Sequence, residues 1–168
     1  MIYDCITIGD CMRDIILFPE EEEMERPLDS RKIRSLPDEK YDEYLVFGLG
    51  DKITIAEAEY ADGGSAANVA AGLAKMGLKT GLASAFGTDP TSKELESSIK
   101  SFGVEASLSK VYRGKKSSFS VVVSYKGERT IFVYHAFGPN DFKFPDVGTT
   151  WFYLGPMRKG YEKLFKSD

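Results

Sequence analysis

The chain has 168 residues, of which 42% are hydrophobic, 29% charged and 12% aromatic, with 16 Gly and 7 Pro; this suits one globular domain and excludes disorder, collagen and coiled coil. No apolar run approaches the roughly 20 residues of a membrane helix, and Met1-Ile2-Tyr3-Asp4 places an acid where a signal peptide carries basic residues, so the expectation is a soluble, cytoplasmic protein. The net charge of -4 is uneven: residues 1–62 hold 7 basic and 17 acidic side chains and residues 63–168 hold 15 and 9, and the acidic half argues against a nucleic-acid groove.

Ile2 to Ile8 reads as a buried strand ending at Gly9-Asp10, and Ile15-Ile16-Leu17-Phe18 is a second apolar run stopped by Pro19. From Pro19 to about Asp42 the chain is charged, with Glu20-Glu21-Glu22-Glu23 and the breakers Pro27 and Pro37, and reads as a surface excursion. Tyr44 to Glu59, with Gly48-Leu49-Gly50-Asp51 between two apolar runs, has the pattern of a hairpin. Gly63-Gly64-Ser65 then opens a helix in which Val69, Leu73 and Met76 fall at i, i+4, i+7 with small residues between them. Ser65 is placed to cap it and Gly77 to end it in a left-handed conformation. Leu78 to Phe86 reads as a strand, followed by a helix with Leu95, Ile99 and Phe102 at the same spacing. Helix alternating with strand implies a parallel sheet. Ser118 to Tyr125 and Thr130 to Phe137 alternate around Lys126-Gly127-Glu128-Arg129 as an antiparallel hairpin, with Phe119, Val121, Val123, Ile131 and Val133 expected to supply one apolar side. Trp151 to Leu154 reads as another buried strand, and Met157 to Phe165 as the start of a helix.

The chemistry these residues offer is selective. The sequence holds no GxxxxGK[ST], and no GxGxxG follows a strand. Cys5 and Cys11 lack metal-ligand spacing and the single His135 is remote from them, so no metal site is expected. His135 shares a strand face with Val133 and Phe137 and reads as a packed or edge histidine. Lys110, Arg113, Lys115 and Lys116 read as a solvated flank. Gly63-Gly64 is different, because a glycine pair lets the backbone approach a ligand while the helix start offers free N–H donors. Asn68, one turn in, carries both a donor and an acceptor, which suits neighbouring hydroxyls of a polyol; a tight turn with a capping amide accounts for the same residues without a ligand. Asp14 lies just beyond the carboxyl end of the first strand, where ligands of parallel sheets bind, and its carboxylate can accept two hydroxyl hydrogen bonds. Asp10 is an alternative at the same strand end, with a turn or capping role equally open.

Taken together, Ile6-Thr7-Ile8-Gly9-Asp10 with Asp14, Gly63-Gly64-Ser65-Ala66-Ala67-Asn68 through Lys75-Met76-Gly77, and Ala85-Phe86-Gly87-Thr88-Asp89 closely resemble the amino-terminal half of the ribokinase-like, PfkB-type carbohydrate kinases. Lys126-Gly127-Glu128-Arg129-Thr130 is similar to the family's lid hairpin and Trp151–Leu154 to its next core strand. The resemblance implies an α/β fold in which helices flank a parallel sheet and a small antiparallel β lid closes over it. It implies that residues 1–168 are the amino-terminal part of one kinase domain, with lid segments at about 12–62 and 112–138. It further implies ATP-dependent phosphorylation of a sugar or nucleoside hydroxyl, with ATP and Mg2+ as cofactors and a homodimer through the lid. Carried over by motif, Asp14 and Asn68 would bind acceptor hydroxyls, while Gly63 and Gly64 would line the site and hinge the lid.

The family's second signature, Asp-Thr-x-Gly-Ala-Gly-Asp, which supplies the catalytic base and an anion hole of backbone N–H groups, does not occur in these 168 residues, nor does the Asn-x-x-Glu element that precedes it. No catalytic or cofactor-binding residue is therefore assigned, and the carboxy-terminal half of the fold is expected to be missing. The expectation is a kinase portion that retains part of its acceptor site. The alternative is a non-catalytic module that binds a small ligand or docks on a partner.

Overall fold

A computed structural model describes residues 2–24, 45–156 and 159–162. The core is a three-stranded parallel sheet with β1 (Tyr3–Ile8) at its centre, β4 (Thr80–Ala83) on one side and β9 (Thr149–Leu154) on the other. Ile6 registers with Gly81 on one neighbour and with Phe152 on the other. A central parallel strand is buried on both faces, which is why β1 is almost continuously apolar. One face is covered by α2 (Ser65–Lys75) and α3 (Pro90–Ser101), whose Ala66, Ala70, Leu95 and Ile99 pack with Leu82 and Phe86. On the other, Tyr3, Ile6 and Ile8 pack with Phe137 and Phe142. A two-strand ribbon of β5 (Ala85–Phe86) and β6 (Lys110–Val111) follows the core.

The second sheet is the lid, in the order β3-β2-β7-β8: β2 (Met12–Pro19), β3 (Ile55–Gly63), β7 (Phe119–Tyr125) and β8 (Glu128–Tyr134). A single-turn helix, α1 (Glu21–Met24), follows β2. The lid sheet is mixed, since β2 pairs antiparallel with β3 and parallel with β7. The β7–β8 turn stands on Lys126 at φ 49 and Gly127 at φ 84, the left-handed pair that matches the twist of a two-residue hairpin loop.

Several sequence expectations change here. The Tyr44–Glu59 hairpin does not form: 45–54 holds no strand, and Tyr44 lies outside the described residues. Asp51 closes Gly48-Leu49-Gly50 on itself, its carboxylate accepting from the Gly48 N–H at 2.8 Å. The strand instead runs Ile55–Gly63 and takes β2 as partner from Met12↔Gly63 to Pro19↔Ile55, a far longer ladder than the local hairpin offers. In α2 the buried stripe is Ala66, Ala67 and Ala70, whereas Val69 and Leu73 are half-buried and Met76 is 72% exposed. The methyl side chains bring the helix close to the β1 end, so that a Cβ at Gly9 would meet the Ala66 methyl at 3.3 Å. Gly64 rather than Ser65 occupies the cap position, and no side chain caps the helix. Gly77, at φ 88, is left-handed as expected.

Phe119 and Val121 pair with Tyr134 and Phe132, while Ser120 and Val122 pair with Val133 and Ile131. The five residues expected on one apolar side are thus split between the two faces of the lid. β9 is an edge strand, with Trp151 72% and Phe152 41% exposed. The helix expected over Met157–Phe165 falls mostly outside the described residues, as does most of the charged excursion. No helix among the described residues is long and apolar enough to cross a membrane.

Asp89 locks α3 to the base of the lid. Its carboxylate accepts from Ser92 N at 3.2 Å and Ser92 Oγ at 2.6 Å, and from Ser117 N at 3.1 Å and Ser117 Oγ at 2.7 Å. Burial raises its pKa, but these hydrogen bonds outweigh burial and hold it below the ordinary carboxylate value. A depressed folded-state pKa stabilises the fold above the unfolded value of about 3.9 and ceases to as pH falls through the folded value. Asp89→Ala is expected to cost about 1–2 kcal/mol at pH 7, as lost helix caps do. Urea denaturation should show that gap between variant and parent narrowing below about pH 4 as the parent's carboxyl protonates.

Candidate functional site

The candidate site gathers where the chain crosses between core and lid. It passes from β1 to β2 through Asp10 and Cys11, from β3 to α2 through Gly63 and Gly64, into β7 through Ser117 and Ser118, and out of β8 through His135 and Ala136. These crossings are bonded together. Arg13 N donates to the Ser118 carbonyl at 3.2 Å, and Ala136 N to Ser118 Oγ at 3.0 Å. Gly64 has φ 98, and a Cβ there would collide with the carbonyl oxygen of Asp10, so only glycine turns the chain here.

Asp14 sits in β2, opposite Ala61 of β3 and Ser120 of β7. Ser120, 2% exposed, donates from Oγ to Asp14 Oδ1 at 2.6 Å. A Cβ at Gly63 would occupy the place of Asp14 Oδ2. Asp14, Gly63 and Gly64 therefore meet where β3 crosses into α2, with one carboxylate oxygen held by Ser120 and the other accommodated by the missing side chain of Gly63. Asn68 is exposed on α2 and lines a groove of about 410 Å3 with Asp62, Lys75 and Phe102. Its backbone N–H donates to Gly64 O at 2.9 Å as the first intrahelical bond of α2. Asp62 pairs with Arg13, so it belongs to the side of the lid opposite Asp14.

That opposite side carries a clamp. Arg13 places Nε 3.0 Å from Asp62 and a terminal nitrogen 3.0 Å from Glu94 of α3. The Nε contact lacks hydrogen-bond alignment, so charge alone holds it. Beside it lies a crevice of about 430 Å3, walled by Ile15, Tyr60 and Phe119 of the lid and by Asp89 and Glu94 of the core. Cys11, beneath the crossing, is buried, and burial together with the charges of Asp62 and Asp10 pushes its thiol up to about 12; it stays a protonated packing group.

Sequence reasoning missed Ser120, Arg13 and the 3.2 Å contact between Asp10 and His135. The one signal for Ser120 was a polar residue at an alternating position of an otherwise apolar strand; Arg13 and His135 gave none, because their partners are far away in sequence.

Residues 39–153, more than half of the chain, match the pfkB family of carbohydrate kinases. The chain belongs to the pfkB family. No curated protein matches the chain. Among solved structures, the pfkB chain is similar to a nucleoside kinase of Methanocaldococcus jannaschii, an archaeal member of the ribokinase family (TM-score 0.64, 20% identity), covering 90% of this chain and 44% of that one. It is also similar to an Arabidopsis thaliana ribokinase complexed with ribose and ATP (TM-score 0.57, 20% identity, 80% and 36% covered). A third is a ribokinase of Cryptococcus neoformans in complex with ADP (TM-score 0.54, 20% identity, 77% and 33% covered). The pfkB chain thus spans between a third and a half of the length of these proteins, and the shared feature is the ribokinase-like fold.

The hinge geometry separates two glycines of the same segment. Gly63→Ala should destabilise the protein by about 1–3 kcal/mol because its methyl must displace the Asp14 carboxylate. Gly72, mid-helix with open space at its Cβ position, should gain about 0.5–1 kcal/mol as alanine. Chemical denaturation of the two variants reads both.

Proposed function

We propose that this chain forms the acceptor-binding and lid portion of a kinase that transfers a phosphoryl group from ATP to a hydroxyl of a sugar or nucleoside. The observation that carries this reading is the Asp14 carboxylate, set on the lid strand beside the glycine hinge and oriented by Ser120. A carboxylate so held accepts hydrogen bonds from adjacent hydroxyls of a polyol, and charged acceptors of this kind form the stronger hydrogen bonds. The Asn68 side chain opens into the groove it shares with Asp62, on the side of the lid opposite Asp14, so this reading rests on Asp14 and not on Asn68. Gly63 and Gly64 would let the lid swing, since they carry no side chain to obstruct rotation. The Arabidopsis ribokinase's complex with ribose and ATP and the Cryptococcus ribokinase's complex with ADP support the same class of acceptor and phosphoryl donor.

No residue of this chain is assigned to ATP or Mg2+. Among the described residues no cluster of three His, Cys, Asp or Glu could hold a metal ion, and the 168 residues contain neither a Walker loop nor a Gly-Ala-Gly-Asp anion hole. Positioning and charge stabilisation of the phosphoryl group supply nearly all of such catalysis. What this chain's residues would do is bind and orient the acceptor and exclude water beneath the lid. A second reading, a non-catalytic module docking on a partner, is favoured by the open edge of β9 with its exposed Trp151 and Phe152. Pairing of two lids through the exposed Phe132 and Tyr134 would give the homodimer.

The 168-residue chain alone is expected to show no ATP-dependent turnover above background in a coupled ADP-release assay over pentoses, hexoses and nucleosides. Turnover that persists through purification and vanishes in Asn68→Ala would sink that expectation. Acceptor binding is the positive test: by calorimetry with D-ribose and adenosine, Asp14→Ala should weaken acceptor affinity by about ten- to a hundredfold. An affinity unchanged by that substitution would make Asp14 structural and favour the docking module.

A further inference from the structure

The only histidine of the chain stands immediately after β8. Ser120 pairs with Asp14 on one side and with Val133 on the other. Alternation carried two residues beyond Val133 puts His135 on the same side of the lid as Asp14, at the end nearest the core. There His135 Nδ1 lies 3.2 Å from Asp10 Oδ2, joining the chain leaving the lid to the loop that ends β1. The Asp10 side chain is 10% exposed and that of His135 28%. The two atoms are not aligned as a hydrogen bond, and the contact is an ion pair when the imidazole carries its second proton. Burial pushes the Asp10 carboxyl above the ordinary range, and His135 is the group that pulls it back. The other ionisable groups at this junction are engaged elsewhere. Cys11 is a neutral thiol, Arg13 is held between Asp62 and Glu94 on the far side of β2, and Lys115 lies over the ring of Phe137.

A buried carboxyl with no cation beside it takes up a proton. It then offers one donor and a weaker acceptor in place of two charged oxygens, and ceases to be a good partner for two hydroxyls. At the carboxyl end of β1, where parallel sheets bind their ligands, His135 is the neighbour 3.2 Å away that favours the charged form of Asp10. We propose that His135 is a positioning residue of the acceptor site, holding Asp10 as an oriented carboxylate so that Asp10 from the core and Asp14 from the lid flank the acceptor. This rests on the reading of Asp14 as an acceptor ligand. It also makes the lid and the core contribute one carboxylate each, tied across the hinge by His135.

The test uses the full 168-residue chain, with His135→Gln, which removes the charge, and His135→Lys, which restores one. Carbon-13 NMR of the aspartate carboxyls across pH 3 to 9 should show the Asp10 midpoint moving up in His135→Gln and back down in His135→Lys, while Asp89 stays where it is in the parent. Calorimetry with D-ribose and adenosine should show His135→Gln binding about tenfold more weakly at acid pH, with the gap closing as pH rises and Asp10 ionises in both proteins. An Asp10 midpoint indifferent to His135→Gln, or an affinity loss of equal size at every pH, overturns the proposal while leaving Asp14 untouched. A parent chain that binds neither probe at any pH overturns the acceptor reading itself and, with it, the part of His135 in it.

Discussion

Where the lid turns into α2, Gly64 sits against the carbonyl of Asp10 with no room for a side chain. That close approach brings the end of β3 against the end of β1, so the two sheets share one junction. The other crossings follow from it. Arg13 reaches the Ser118 carbonyl and Ser118 receives Ala136, so the strands entering and leaving the lid are bonded at one level. A bulkier residue at 64 would push β1 and α2 apart and loosen the alanine-lined packing between them, in which every atomic layer counts because interiors are close-packed.

From that junction β2 divides the molecule's chemistry by the alternation of its side chains. Arg13 points to one side and spans Asp62 and Glu94, fastening the lid to the first turns of α3. Asp14, the next residue, points to the other and meets Ser120 and the space above Gly63. The fastening is ionic and partly exposed, so it is weak and salt-sensitive. The Asp14 contact is short and involves a buried hydroxyl, which suits a group whose direction has to be kept.

Parts of this arrangement were legible in the sequence because they are local. The apolar run of β1, the glycine pair, the start of α2 and the left-handed Gly77 each depend on residues a few positions apart; Asp14 and Gly63 do lie against each other, whereas the Asn68 side chain faces Asp62 instead. The misreadings came from pairings that are not local. The Tyr44–Glu59 segment has every mark of a hairpin, yet β3 gains more by lying along β2, some forty residues upstream. Ser120 and Asp14 are 106 positions apart, and nothing near His135 in sequence announces Asp10. In α2 the larger apolar residues drew attention from the alanines, although close approach to a sheet selects the smaller side chain.

The contrast between β1 and β9 shows what an apolar run encodes. Tyr3–Ile8 and Thr149–Leu154 read alike as buried parallel strands, and each registers with the other along its length. β1 has a neighbour on both edges and packed side chains on both faces, and its residues are buried save Asp4. Among the described residues β9 has one neighbour, and Trp151 and Phe152, which alternate between its two faces, both remain open. Phe144 shields Phe152 only edge-on, with ring centroids 5.1 Å apart. Hydrophobicity thus reports the surroundings for which a strand is suited, and burial reports those it has. In β1 the two agree; in β9 they part, as they do in the lid's edge strand β8, where Ile131, Phe132, Val133 and Tyr134 are all exposed.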